Sequence, residues 1–485
     1  MAESPAGKQT WSLKMKLLVW LVLPLMVLLA AALVLDGVCQ GKLNAAMRQA
    51  RAGGGPVTFE ELQAARKAWP DEQNGALILV KLATQLDTIR QGPTSLPAFD
   101  SEESIPLGRK HGPEKLQVME RELERLAPEL AEIDRLLHFE GGQFPLAPTS
   151  PLVNLLLTHL GHVRASARLK YDQALWRVMT GDTLRLVDDV AIMQRHGQLL
   201  ADEPWLISAL VRVACDALML DTIERAVGLT TLAPEQLEGL EALLAGMEGQ
   251  NRLWWGIRGE RAFFVDAVEA LRQGKAAGFG PGTGSLPRGV GRTPGLRGFF
   301  MQDLAAGLRF YNRLVAASKD SRQAARVSRE IEQQVGQLRM YQPLTSTLMP
   351  SFSRAFDLNT RLEAQSRAAR TGLAAERYRL DTGRFPPSLE ALTPRYLQQV
   401  PLDPFDDQPL RYKLDERGVV IYSVGEDLKD DGGLVSHRIP GKKTATDFGF
   451  VLLSPEQRGL PATQPASVPE ADGPGPTAEA LPVPP

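Results

Sequence analysis

Residues 17–35 run from Leu17 to Leu35 without a charged or strongly polar side chain, and that one segment constrains the chain more than any other feature. As a helix it would be about 28 Å long, close to the hydrocarbon thickness of a bilayer. Pro24 lies inside it, which a membrane helix tolerates better than a soluble one. Ala30, Ala31 and Ala32 supply small residues that a signal peptidase could read, but a signal core is usually shorter than this run. The expectation is therefore an uncleaved transmembrane helix preceded by a tail, residues 1–16. Lys8, Lys14 and Lys16 before the segment are balanced by Lys42, Arg48 and Arg51 after it. The short tail and the lysines close to the apolar run favour an N-inside orientation. The expected location is a bacterial cell membrane, crossed once, with residues from about 40 onward outside the cytoplasm.

The remainder of the chain is too long for one compact domain, because the whole has 485 residues. A formal net charge of −2 gives no general attraction to nucleic acid. Cys39 and Cys215 are the only cysteines, so no disulfide framework holds the fold and no CxxC pair offers thiolates to a metal. Cys39 lies just beyond the apolar run, but Asp36, Gly37 and Val38 lack the small-residue pattern of lipoprotein processing, and lipidation is not expected.

Residues 57–340 read as a helical domain. Thr58 and Glu61 make a capping-box pattern that opens a helix. A second helix is expected over 71–90, and residues 91–112 read as a polar loop. From 114 to 137, Leu116, Met119, Leu123, Leu126, Leu130, Ile133 and Leu137 follow helical spacing, with Pro128 expected to kink or split the run. Three helices are expected between 152 and 227, broken near Thr180-Gly181-Asp182 and Asp202-Glu203-Pro204, and their rhythm is weakly similar to tetratricopeptide hairpins. Further helices are expected at 234–247, 252–272, 298–317 and 321–338. Glycine and proline crowd residues 274–298, which reads as an exposed flexible loop with Arg288, Arg292 and Arg297 on it. Its Gly280-Pro281-Gly282-Thr283-Gly284 stretch lacks the Gly-Lys-Ser/Thr ending of a phosphate loop.

Chemistry-bearing residues are sparse here. His159 and His162 stand at i and i+3, but no HExxH arrangement accompanies them, and His138 and His196 share no register with them. Trp254, Trp255, Phe263 and Phe264 form the densest aromatic patch, which core packing explains more cheaply than ligand stacking. No nucleophile elbow and no zinc motif occurs.

After Met349 the character changes. A long helix from Ser351 to about Leu380 leads into Tyr378-Arg379-Leu380-Asp381-Thr382-Gly383-Arg384-Phe385-Pro386. Then come Val400-Pro401-Leu402-Asp403-Pro404-Phe405, a short β-branched strand over 419–422, and the stretch Ser423-Val424-Gly425-Glu426-Asp427-Leu428-Lys429-Asp430-Asp431-Gly432-Gly433, with Asp447-Phe448-Gly449 closing the module. Those three blocks, in that order, resemble the C-terminal domain of the type II secretion major pseudopilin, protein G, over about residues 370–450. Phe405 and Asp406 stand where that family usually has tryptophan and glycine, and residues 1–35 hold no pseudopilin leader site. The expectation is a pseudopilin-like module on a helical protein rather than a pilus subunit.

The resemblance implies a calcium ion in the loop after the strand, held by Asp427, Asp430 and Asp431, with Asp447 matching the family's closing aspartate. The local chemistry agrees, since calcium takes carboxylate and carbonyl oxygens from a flexible loop and glycines stand at 425, 432 and 433. A solvated acidic turn uses the same residue types. The Pro/Ala-rich tail, 455–485, reads as disordered.

The expected whole is α+β, mainly α. It comprises a transmembrane helix, a helical-hairpin middle, and a 350–450 module of one long helix and a short antiparallel sheet. The expected function is a non-enzymatic envelope protein that binds or scaffolds protein partners and touches the membrane through its N-terminal helix, with secretion as the process the resemblance suggests. The competing expectation is an envelope enzyme with a non-local site, for example residues 254–261 near His159.

Overall fold

The computed structural model describes residues 13–53, 55–91, 105–145, 157–272, 293–338, 342–349, 351–435 and 447–462. Most of the Gly/Pro-rich segment 274–298, most of the tail 455–485, residues 1–12 and residues 92–104 lie outside the described residues.

The chain is mainly helical, with one long apolar N-terminal helix and a small sheet. That helix, α1 (Leu13–Ala52), does not stop where the apolar run stops. Its first half is bare, with Trp20 and Leu21 among many exposed large side chains. Its second half buries Cys39, Leu43, Ala46 and Ala50, whose spacing of four, three and four makes a narrow stripe on one face. One rigid rod thus carries two surfaces, one apolar all round and one amphipathic.

The helical body begins at α2 (Phe59–Ala65). The capping box forms as the sequence implies: Glu61 N–H donates to Thr58 Oγ1 at 3.2 Å, and Thr58 N–H donates to Glu61 Oε2 at 3.3 Å. The helix expected over 71–90 is instead a 3-10 turn at Asp71–Gln73 followed by α3 (Ala76–Lys81) and α4 (Ala83–Gln91). Asn74 causes the first break. Its Oδ1 accepts from Ala76 N–H at 3.2 Å, taking a donor the helix would have used, and from Gln143 N–H at 2.8 Å, which ties the turn to a distant segment. β1 (Arg109–Lys110) comes next. The run after it splits into α5 (Pro113–Arg125) and α6 (Ala127–Asp134), with Pro128 in the first turn of α6, where a missing N–H costs nothing.

Three long helices succeed these: α7 (Thr158–Thr180), α8 (Leu186–Gln198) and α9 (Leu206–Leu229). Gly181 closes α7 in the left-handed conformation at φ 96°. The body continues through α10 (Pro234–Ala245), α11 (Trp254–Arg272), α12 (Leu296–Ala317), α13 (Ser321–Leu338) and α14 (Pro343–Leu348). α12 lies along the second half of α1: Asn312 Nδ2 donates to Ala46 O at 3.1 Å, and Gly295 N–H donates to Asp36 Oδ1 at 3.2 Å. The two helices therefore run parallel. Their shared core includes Met301, Leu304, Leu308 and Tyr311 with Phe264 of α11 and Phe352.

The last helix, α15 (Ser353–Thr382), carries an antiparallel sheet ordered β2 (Arg411–Asp415), β3 (Gly418–Ser423), β4 (Phe448–Leu453). β3 is buried along its whole length because both faces are covered. Val419 and Ile421 join the α15 side, while Val420 and Tyr422 pack with Val435 and Val451 on the other. Gly372 lets α15 approach the sheet, since a Cβ there would lie 2.3 Å from the Phe450 ring. The opposite face of α15 meets α9 and α10, so Ala369, Leu373 and Leu362 share one core with Leu220, Ile223 and Leu240. Further stitches join module to body. Glu224 of α9 accepts from Val451 N–H at 2.7 Å, and β5 (Leu460–Pro461) pairs parallel with β1.

Candidate functional site

The acidic loop leaves β3 at Ser423 and turns tightly, with Gly425, Leu428, Gly432 and Gly433 all at positive φ. Asp447, at the start of β4, is buried and accepts from Gly433 N–H at 2.9 Å and from Asp431 N–H at 3.5 Å. Burial pushes its carboxyl above the usual carboxylate range, those two N–H bonds oppose the shift, and the charges of Asp431 and Asp430 add to it. Asp430 Oδ1 accepts from Tyr422 O–H at 3.0 Å and from Gly432 N–H at 2.8 Å. Asp430, Asp431 and Asp447 therefore share one neighbourhood. Asp427 is exposed and closes a separate small turn by accepting from Lys429 N–H at 3.1 Å. Lys413 Nζ reaches the loop as well, donating to Gly432 O at 2.7 Å. The donor chemistry suits a hard cation. Among the described residues, however, no three His, Cys, Asp or Glu side chains converge closely enough to hold a metal.

The Asp-Pro-aromatic segment and the end of the long helix sit at structural joints. Asp403 is fully buried and accepts from Ser423 Oγ–H at 2.8 Å, Val424 N–H at 3.0 Å, Phe405 N–H at 2.9 Å and Arg411 Nη1 at 2.9 Å. It ties the Asp-Pro-aromatic segment to the end of β3. Phe405 stacks on Phe448 at 6.4 Å between centroids. Asp381 accepts from Tyr396 O–H at 2.7 Å, and Gly383 ends α15 at φ 77°.

The histidines do not gather. His159 Nε2 lies 2.9 Å from Glu203 Oε1, and Ser208 Oγ–H donates to Glu203 Oε2 at 2.6 Å. His162 faces Asp87 at 3.1 Å. His138 is exposed on its own turn. His196 Nδ1 lies 2.8 Å from Ile192 O and its Nε2 lies 2.7 Å from Ser166 Oγ, the geometry of a serine–histidine pair. Both residues are fully buried and burial holds the imidazole down at about 4, so the pair is a core bond that no substrate can reach.

One cluster of buried charge has no counterpart among the motifs. α11 packs so closely on the turn before α9 that a Cβ on Gly259 would stand 1.6 Å from Pro204 O. This sets Gly259 against Pro204, the residue that follows Glu203 in the chain. Glu260 Oε1 accepts from Leu206 N–H at 3.2 Å, and burial raises its carboxyl to about 7. Arg261 donates to Pro56 O at 2.7 Å and Asn312 Oδ1 at 3.3 Å, while Arg258 lies over Trp254 at 3.7 Å. Burial lowers both guanidinium groups to about 10. Among the described residues, Tyr311 O–H and Arg258 Nε and Nη1 are buried without a hydrogen-bond partner. The signal was available in the sequence as Arg258-Gly259-Glu260-Arg261, three charges inside an aromatic helix.

Two clefts flank the junction of body and module, the first mainly polar and the second of mixed lining. One of 310 Å³ is lined by Gln250, Arg252, Ser366 and Arg367, and one of 540 Å³ by Arg326, Arg329, Phe405 and Leu428. The ion pair of Arg322 with Asp407, at 2.6 Å, borders both. Comparison with known proteins places the chain in no group: no family model, no curated protein and no solved structure matches it. The fold therefore defines only a class, a mainly helical protein led by one long helix with the length and composition of a membrane anchor or a signal sequence.

Proposed function

We propose that this is a non-enzymatic bacterial envelope protein, held by α1 in the membrane, whose helical body and pseudopilin-like module stand outside the cytoplasm and engage protein partners. One observation carries the reading. α1 is unbroken from its bare apolar half into a half that is core, so lipid around the first half would fix the whole body at a set height and tilt. A hinged linker would serve a tether, whereas a continuous rod suits a scaffold. The family resemblance of residues 370–450 favours a secretion-related partner, and it supports a calcium ion steadying the Asp427–Asp431 loop with Asp447. On that reading Asp427 and Asp431, both exposed, swing toward Asp430 and Asp447 when the ion binds. The test is a reporter enzyme fused after Pro485. Activity outside the cytoplasm is expected, and activity inside would reverse the orientation.

A second reading, an envelope enzyme with its site in the helical body, is favoured by Glu260. A carboxyl near 7 is matched to general acid–base work. Turnover of ester or amide substrates by the native chain that disappears in Glu260→Gln would establish it.

A further inference from the structure

We propose that the first turn of α12, residues 295–300, is a second membrane contact, a ledge beside α1 that places Leu296 and Phe299 in the lipid interface. This rests on α1 spanning the bilayer. The heights follow from the parallel packing of the two helices. A Cβ on Gly295 would touch Ala32 Cβ at 3.4 Å, and one on Gly298 would stand 2.6 Å from Asp36 Oδ1. Further on, Cys39 lies 3.8 Å from Gln302, and Ala46 receives the bond from Asn312. Gly295 is therefore level with Ala32, inside the apolar run, and Phe299 is level with the residues around Asp36. Since both helices rise about 1.5 Å per residue, the register holds along the contact.

The ledge has the surface such a position requires. Leu296 is 46% exposed and Phe299 37%, on the side away from the buried Met301 and Leu304. Val34 and Val38 of α1 are exposed at the same heights, so the apolar surface of α1 and that of the ledge occur together. Lipid is the occupant this geometry favours, because the ledge begins where the apolar run has not yet ended. Asp36 is the first acidic residue after that run, and a carboxyl group at the bilayer edge needs a hydrogen-bond partner. It has one in Gly295 N–H, donated from the start of α12, where the helix dipole also favours a negative charge. Glycine at 298 allows that approach. Leu296 and Phe299 then bury in the boundary layer, as the apolar face of an interfacial helix does.

The experiment uses the full chain in phosphatidylcholine nanodiscs with a spin label at one of four positions: Leu29→Cys, Leu296→Cys, Phe299→Cys or Leu184→Cys. Leu184 is 90% exposed on the turn between α7 and α8 and serves as the aqueous reference, and native Cys39 and Cys215 are buried, so the unsubstituted chain gives the background. Oxygen and a water-soluble nickel chelate report depth. Labels at 296 and 299 should collide with nickel severalfold less than the label at 184, and with oxygen less than the label at 29. If 296 and 299 match 184 while 29 is deep, the ledge is overturned and the span stands. If 29 also matches 184, the span and the ledge fall together. Spin–spin broadening at 299 that vanishes on dilution with unlabelled chain would assign the face to a second copy and overturn the lipid assignment.

Discussion

Burial raises the Glu260 carboxyl from the ordinary 4.5 to about 7, and this gives its titration a defined sign. Its folded value lies near 7, against an ordinary 4.5, so between those two pH values the unfolded chain releases a proton that the folded chain keeps. Folded stability contributed at this site is therefore fully present below about pH 4.5 and declines until about pH 7. His196 acts in the opposite direction. Its folded value near 4 lies below the ordinary 6.5, so its contribution is lost as pH falls from 6.5 to 4. The difference between native chain and Glu260→Gln isolates the carboxyl. The variant should gain relative stability from pH 4.5 to 7, by up to about 3 kcal/mol, in denaturant titrations. A difference independent of pH would mean that Glu260 is not held protonated. Gly259→Ala tests the close approach that places Glu260 there. With Pro204 O at 1.6 Å from the new Cβ, α11 must move away, and a loss of about 3 kcal/mol or more is expected in the same titration. Asp403→Ala should cost about 3–5 kcal/mol, because it strips a buried carboxylate from Arg411, one hydroxyl and two backbone N–H groups. The charges of residues 258–261 were visible in the sequence, but the partners of Glu260, Gly259 and Asp403 were not. A buried charge and its partners come from segments far apart in sequence, and local spacing cannot bring them together.

At the scale of elements, the periodic signals were the legible ones. The capping box at Thr58, the split near Pro128, the extent of α13 and the long helix before the sheet all follow from patterns confined to a few turns. The continuation of α1 to Ala52 was not legible, since its buried stripe contains two alanines, a cysteine and one leucine and carries little hydropathy. Asn74 broke a helix and tied the turn to Gln143, which lies far along the chain. The extent of the shared core was hidden for a similar reason: α15 has two apolar faces, and the sequence does not say which neighbours cover them. A fragment of residues 350–462 should keep the sheet against α15 yet melt well below the full chain, because it loses α9, α10, β1 and the Glu224 bond to Val451. A fragment beginning at 385 lacks α15 and should show no cooperative melt. Equal melting of the long fragment and the full chain would separate module from body. The acidic loop is tested in the full chain in detergent. Calcium at a hundredfold excess over its dissociation constant should add about 2.7 kcal/mol, and magnesium less. An undiminished calcium effect in the Asp427→Ala, Asp431→Ala double variant would reduce the loop to an acidic turn.

For the whole molecule, the proposal makes α1 both an anchor and a beam of the fold. The apolar run was plain in the sequence, but anchor and signal sequence alike present a long apolar helix near the N-terminus, and only the length of the run leans toward the anchor. What separates them is whether the bare half of α1 remains attached to the half that packs on α12. The direct measurement is the mass of the native protein isolated from membranes washed with alkaline carbonate. An anchored protein stays in the washed membranes, and its mass includes residues 17–35. A protein released by the wash, or one whose mass begins at Leu33, would contradict the anchor.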